Sequence, residues 1–524
     1  MAGPSNHLLK LITPKLVTKV IPSGRWQGTL STAAVENPPQ DAVEFNTAKA
    51  LRDMPGPSYL KVIWPMLKDP SLKLRMDKVF KTFFEEYGPI YKLNVPGLPT
   101  IVVIKDPRDT QKLLSLENKN PIQPGFDFWV YYRNNLKKDL FTETGGLIGN
   151  HGDEWWRVRS LVQQDMLRPK SAMFYLDSIE EISLQLADKI EETMDDKSEI
   201  EDLMNLLARW ALEAVTSIFL DTRLNCLAED HEPDSDTTRL IQSVNVVLGP
   251  DAFELVGGLP IWKYFATPHY KRFDAASTEV FEICKRLIER AVDKKQKSED
   301  KSAEEMSVLE KMIKRAGPGS QIPAVMAMDA ITAGIDTTSS TSAFLLYDLA
   351  SNQEVQAILY DEIMEVVGPT DVITEAKLKR MRYLKACLHE SQRMHPAAMG
   401  SSRETQQEMV LGGYQIPKGI RVSAMGILTM MEEDHFEEPH KFKPERWLRG
   451  CPEHHTAHPF AAIPFGFGPR MCIGRRFAEL EVQVLVVKLL QKFKIEYHHE
   501  PVGIATPFLV KPDREIKMKF SPRI

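Results

Sequence analysis

Residues 465–474 read Phe465-Gly466-Phe467-Gly468-Pro469-Arg470-Met471-Cys472-Ile473-Gly474, and they run directly into a helical pattern in which Phe477, Leu480, Val484, Val487 and Leu490 share one face. A cysteine therefore sits in a glycine-rich loop just before a helix N-terminus. Unpaired N–H groups and the positive end of the helix dipole favour an anion there. Such a place lowers a thiol pKa and presents thiolate to a soft metal. Gly468 and Gly474 let the backbone bend tightly and approach a flat ligand. From the residues alone, an ordinary buried cysteine remains the alternative.

The rest of the chain is that of a large globular enzyme. It has 524 residues, a net charge of −6, 43% hydrophobic and 26% charged residues, which excludes collagen, coiled coil and wholesale disorder. Mild negative charge argues against a dedicated nucleic-acid binder. The length allows either three domains or one large one. Cys226, Cys284, Cys387, Cys451 and Cys472 include no CxxC pair, so neither a disulfide framework nor a zinc site is expected. No Asn-x-Ser/Thr sequon occurs, and a reducing compartment is expected.

The N-terminus has its own composition. Lys10, Lys15, Lys19 and Arg25 precede the first acidic residue, Glu36, and Leu8, Leu9, Leu11, Ile12, Leu16, Val17 and Val20 fall along one helical face. A basic, acid-free, amphipathic start containing Ser23, Thr29, Ser31 and Thr32 has the composition of a mitochondrial transit peptide. We assign residues 1–45 to this peptide and its linker and 46–524 to one enzyme domain, with Met54-Pro55-Gly56-Pro57 as a hinge. No run of about 18 apolar residues suggests a membrane span. Strands are expected at Ile90–Val95 and Thr100–Ile104, joined by Pro96–Pro99, and near Met409–Ile416 and Ile516–Phe520. Helices are expected at Ser178–Met194, Ala276–Lys294 and, as a long apolar one, about Pro323–Ala350, with a charged, solvated stretch at Asp293–Glu310. The fold class is mainly α with small β-sheets.

The loop around Cys472 carries FxxGxRxCxG, and by it the chain resembles the cytochrome P450 superfamily. The resemblance extends from about Met54 to the C-terminus and implies a single triangular-prism fold, with a helix-rich lobe, a small β-rich lobe and buried haem b. Within it Cys472 would be the axial thiolate, a ligand that pushes electron density toward O–O cleavage, in a motif with Phe465, Arg470 and Gly474. Glu390 and Arg393 form ExxR and, with Arg446 of Phe442–Trp447, match the family's structural triad. Trp155 and Arg159 match its WxxxR, and with Arg403 and Arg470 they occupy the positions that bind haem propionates. Ala333-Gly334-Ile335-Asp336-Thr337 matches AGxDT: small Ala333 and Gly334 would leave room for dioxygen and substrate, Thr337 would open the local helix hydrogen-bonding, and Asp336 would relay protons inward. Without the resemblance, the same stretch reads as a kinked core helix whose hydroxyls satisfy its own carbonyls.

Gly474–Glu481 resembles the mitochondrial class, most of all its invertebrate members. Arg475 and Arg476 oppose the helix dipole, which suggests that the pair is used. The resemblance implies that they dock an adrenodoxin-like 2Fe–2S ferredoxin, together with Lys385; His389 stands where a second lysine is expected. Implied with it are electrons from NADPH through ferredoxin reductase, O2 as co-substrate, and the matrix face of the inner membrane as a peripheral location. The substrate would be a lipophilic small molecule, of steroid-hormone or xenobiotic kind. Phe126, Phe128, Trp129 and Tyr131 are expected to roof its pocket, Ala397–Ser402 and Ile504–Leu509 to line it, and Leu255–Trp262 either to dip into a membrane or to pack as core. A cytochrome P450 isomerase or dehydratase without external electrons, and a non-catalytic haem carrier or sensor, are the alternatives; intact Asp336–Thr337 and the arginine pair argue against both.

Overall fold

The computed structural model describes residues 44–95, 99–228, 235–257, 261–295, 306–317, 319–451, 454 and 456–523. Among the helices, five position the site: α1 (Gly152–Met166), α2 (Leu203–Leu220), α3 (Ile322–Ser351), α4 (Arg382–Met394) and α5 (Arg475–Lys492). α3 is apolar on nearly every side, and a helix without a polar face belongs inside. It runs through the core against α2, with Ile331, Ile335, Leu345, Leu346 and Leu349 fully buried. α2 has the length and composition to cross a membrane, but it lies within the same core. Asp202 caps it, accepting from the Asn205 N–H. α5 is equally enclosed: Val484, Leu485, Val486 and Val487 are all fully buried, and Lys488 meets Glu180 at 2.6 Å inside the core.

The β-rich part is a four-stranded sheet, β1 (Ile90–Leu93), β2 (Ile101–Ile104), β3 (Ser401–Glu404) and β4 (Arg421–Ala424), in the order β1-β2-β4-β3. β1 and β2 are antiparallel, β2 and β4 parallel with Val102 beside Val422, and β3 antiparallel to β4 with Arg403 beside Val422. The expected strand near Met409–Ile416 is a hairpin, because Gly412 and Gly413, at φ 54 and 79, turn the chain back. The C-terminal strand, Met518–Pro522, pairs with Phe493–Glu496 and Glu199–Ile200.

The leader, residues 1–43, lies outside the described residues, as do the turn residues 96–98 and most of the charged stretch at 293–310. The expected hinge at Met54–Pro57 is part of the body. Met54 is buried, and the Lys92 N–H donates to the Pro55 carbonyl at 2.9 Å. Further upstream, Lys49 exchanges backbone hydrogen bonds with Gly413 and Gln415.

Candidate active site

A cavity of about 400 Å³ opens between α3, α5, β3 and the loop before α5. Cys472 borders it: the residue lies deep in the protein, yet its side chain is exposed, because it faces this internal space. The Cys472 N–H donates to the Phe465 carbonyl at 2.9 Å and fixes the loop. Burial pushes the thiol pKa up, against the pull of the Gly474 and Arg475 N–H groups and of the Arg159 and Arg475 charges. This differs from the sequence expectation of a lowered pKa: desolvation outweighs the helix N-terminus. A bound cation would reverse that balance, since a coordinating thiol loses its proton to the metal.

Glu390 is fully buried between two guanidiniums. Arg393 donates to it through Nε at 2.9 Å and Nη2 at 2.8 Å, Arg446 through Nε at 2.9 Å, and Trp447 through Nε1 at 2.8 Å. Arg393 spends its remaining donors on the carbonyls of Met430 and Pro439 and on the Met431 sulfur. A buried charge is tolerable only when its hydrogen-bonding is filled in this way. The cluster ties α4 to the segment leading into the Cys472 loop and stays off the cavity wall.

Three arginines meet at the side of the cavity. Arg470 stacks on the Trp155 ring at 3.8 Å and donates to the carbonyls of Pro121 and Asn150. Arg159, four residues along α1 from Trp155, donates to Met471 O at 2.9 Å, and its Nε has no partner. Arg403 on β3 pairs with Glu117. Burial lowers Arg470 to about 9, with Arg403 and Arg159 repelling it further, and burial lowers Arg159 to about 10. Burial and Arg470 hold the adjoining His151 neutral, near 4. An orphaned buried donor among converging, desolvated guanidiniums marks a site short of anions. A haem carrying two carboxylates, with Cys472 as its iron ligand, fits this set of residues.

The opposite wall is α3. Ala333 is exposed in mid-helix, and Gly334 and Thr337 are half-buried, because this face looks into the cavity. Thr337 Oγ1 donates to Ala333 O at 2.7 Å. Gly334 lines the cavity and is also pressed from α2, where a Cβ on it would meet Val215 Cγ2 at 3.1 Å. Asp336 faces the other way, into a second chamber of about 440 Å³ with Ser339, Ser340 and Asn245, where Lys511 holds it at 2.6 Å. The helix thus separates the two chemically expected groups, Asp336 outside and Thr337 inside.

Arg475 and Arg476 share one carboxylate, Glu479, at 2.8 and 3.4 Å. Lys385 lies close enough to feel Glu479 as well. His389 titrates below its ordinary value, first through the protein crowding it and then through Arg475 and Lys385, against the opposing pull of Glu479.

The expected aromatic roof is corrected. Phe128 and Trp129 are buried against Tyr132, Trp262, Phe273 and Phe508, and none of Phe126, Phe128, Trp129 and Tyr131 lines the cavity. Its apolar wall comes from residues such as Leu147, Ile148, Val215, Phe219, Met326 and Leu509, with Ala397 and Ala398 of the expected segment. Within Leu255–Trp262, Leu255 and Trp262 are buried and Ile261 is exposed; residues 258–260 lie outside the described residues. Sequence reasoning missed Glu117, Glu481 and Lys511. Glu117 and Lys511 lie outside every motif, Glu481 only closes the stretch that begins at Gly474, and for all three only the fold supplies a partner.

Comparison with known proteins bears on the same residues. The sequence model described as Cytochrome P450 matches residues 54–520. "Probable cytochrome P450 301a1, mitochondrial" of Drosophila melanogaster is 32% identical over 493 residues, 91% of this chain and 88% of that one. "Probable cytochrome P450 12a5, mitochondrial" of the same organism is 32% identical over 95% of each chain. "Cytochrome P450 CYP12A2" of Musca domestica is 32% identical over 91% of this chain and 92% of its own.

Proposed function

This chain belongs to the cytochrome P450 family of haem-thiolate monooxygenases, and we propose that it works in the mitochondrion, with electrons from NADPH by way of ferredoxin reductase and a 2Fe–2S ferredoxin, on a lipophilic small molecule. The reaction is RH + O2 + two electrons + two protons giving ROH + water. One observation carries the assignment: at a single cavity the Cys472 side chain lies across from the open face of α3 at Ala333, Gly334 and Thr337. Cys472 would hold the haem iron, with Arg159, Arg403 and Arg470 holding the haem carboxylates. When bound, the haem supplies oxygen activation and the two-electron chemistry.

The remaining roles belong to the chain. Glu390, Arg393 and Arg446 brace the thiol-bearing side. The apolar wall at Leu147, Ile148, Val215, Phe219 and Leu509 excludes water and selects a lipophilic substrate of sterol or xenobiotic kind. Asp336 takes protons from the second chamber, where it pairs with Lys511 at 2.6 Å, and passes them around the helix to the hydroxyl of the adjoining Thr337. Arg475, Arg476 and Lys385 form the ferredoxin face, and relatives named mitochondrial favour that partner. A peripheral seat on the inner membrane is supported by exposed Leu60, Trp64 and Leu67 on one segment and Tyr264 and Phe265 on another, with Lys73 and Glu254, which follow and precede them, paired at 2.6 Å.

Reduction of the leaderless protein under carbon monoxide tests this reading. A red-shifted thiolate–CO band should grow with ferredoxin and its reductase. A band only with the microsomal diflavin reductase or dithionite would refute the electron route. In haem-containing protein, no such band would refute the Cys472 ligand.

A further inference from the structure

Arg403, like Arg159, is only 3% exposed, and its charge is met by a carboxylate of the protein itself. Glu117, just past the short helix Pro107–Ser115, accepts from Arg403 Nε through Oε1. Its carboxyl is 5% exposed and Oε2 has no hydrogen-bond partner. Glu117 stands behind the cavity wall that Arg403 and Arg470 help to form. The Cys472 loop closes over it through Gly468, at φ 76, where a Cβ would come within 2.9 Å of Oε2. This is a half-satisfied buried carboxylate against a guanidinium whose other nitrogens reach only the carbonyls of Ser402, at 2.9 Å, and Phe467, at 3.4 Å.

We infer that Glu117 is a placeholder carboxylate: it satisfies Arg403 while the site lacks its cofactor and yields part of that guanidinium to a haem carboxylate on loading. The inference rests on the haem-thiolate reading above. A buried cation with no anion is costly, so the cofactor-free site needs a resident one. The same anion competes with the incoming one, because two carboxylates must then share one guanidinium. Burial lifts Glu117 to about 7, against the pull of Arg403 and Arg470, so this carboxyl gives up its charge near neutrality at little cost. Glu117 is accordingly a positioning residue, acting through Arg403.

Glu117→Gln tests the role, since the amide keeps an acceptor for Arg403 Nε and removes only the charge. In cofactor-free protein, haemin and haemin dimethyl ester, which lacks the two acidic groups, are titrated against wild type and variant. The variant should bind haemin about three- to tenfold more tightly and the ester unchanged. Its cofactor-free form should also lose more thermal stability than its loaded form. Equal changes for both ligands, no change, or weaker binding of haemin alone would each overturn the placeholder role. Should the cofactor-free variant fail to fold, haem transfer from the loaded protein to excess apomyoglobin replaces the titration; slower transfer than wild type supports the role, and equal or faster transfer refutes it. Failure of wild type to bind haemin with a thiolate spectrum would instead bring down the haem-thiolate reading, and this inference with it.

Discussion

Glu481 sits on α5, one turn into the core from the arginine pair, at the edge of the cavity and 4% exposed. Thr338 of α3 donates to it, but burial dominates and lifts its pKa from 4.5 to about 8, so the carboxyl is neutral at pH 7. An acid whose folded pKa exceeds its unfolded one takes up a proton on folding between the two values. Stability therefore falls as pH rises through the window from 4.5 to about 8, at a limiting slope of about 1.4 kcal/mol per pH unit for this one group. Glu481→Gln, which stays neutral, should flatten that dependence. Thermal midpoints of the loaded protein at pH 6 and 8.5 should converge in the variant and diverge in wild type, and equal differences would show that Glu481 titrates normally.

At the scale of elements, the contact between α2 and α3 sets the shape of the site. Gly in a helix interior is about 1 kcal/mol less favourable than Ala, yet Gly334 lies 3.1 Å from Val215 by its notional Cβ. An Ala would need a few tenths of an ångström from a packed neighbour, and a Val would need far more. Gly334→Val should thus cost about 1–3 kcal/mol by overpacking, and Val215→Ala in the same chain should recover most of it. A denaturation cycle on the four proteins checks the coupling; additive effects would place the strain elsewhere. The glycine was legible in sequence as an anomaly, but its contact with Val215 was not, because that neighbour lies on a helix more than a hundred residues away. The same division holds across the site. Motifs with fixed spacing, Cys472 in its loop, Glu390 and Arg393 one turn apart, Trp155 and Arg159 likewise, could be read directly, since neighbours on one element share a face whatever the fold does. Long apolar helices could be read too, from their uninterrupted composition. Phe128 and Trp129 could not: their chemistry fits a pocket wall or a core equally, and only the presence of Phe273, Trp262 and Phe508 decides for core. Glu117 and Lys511 carry no pattern at all, and their meaning comes wholly from the cation and the anion that tertiary packing places beside them.

Considered as a whole, the molecule presents its thiol side to solvent through the first turn of α5, and there Arg475 and Arg476 are not free. Glu479 binds both, at 2.8 and 3.4 Å, which also relieves two cations placed against the positive end of a helix dipole. A half-exposed pair of this kind is worth about 0–1 kcal/mol, small enough for an acidic partner to displace. Substituting Glu479→Gln should then have opposite effects on stability and on docking. The thermal midpoint should fall slightly, while ferredoxin-driven reduction at low salt should quicken about two- to tenfold, since electrostatic steering acts mainly on the association rate. The gain should vanish as salt approaches about 1 M, where the screening length is near 3 Å. Charge reversal at Arg475 and Arg476 should slow reduction and leave haem content alone. A variant that merely loosened the helix would lose stability and reduction rate together. The divergence of the two readouts therefore separates a docking face from a structural ion pair, and reduction kinetics indifferent to both substitutions would move the ferredoxin site off α5 altogether.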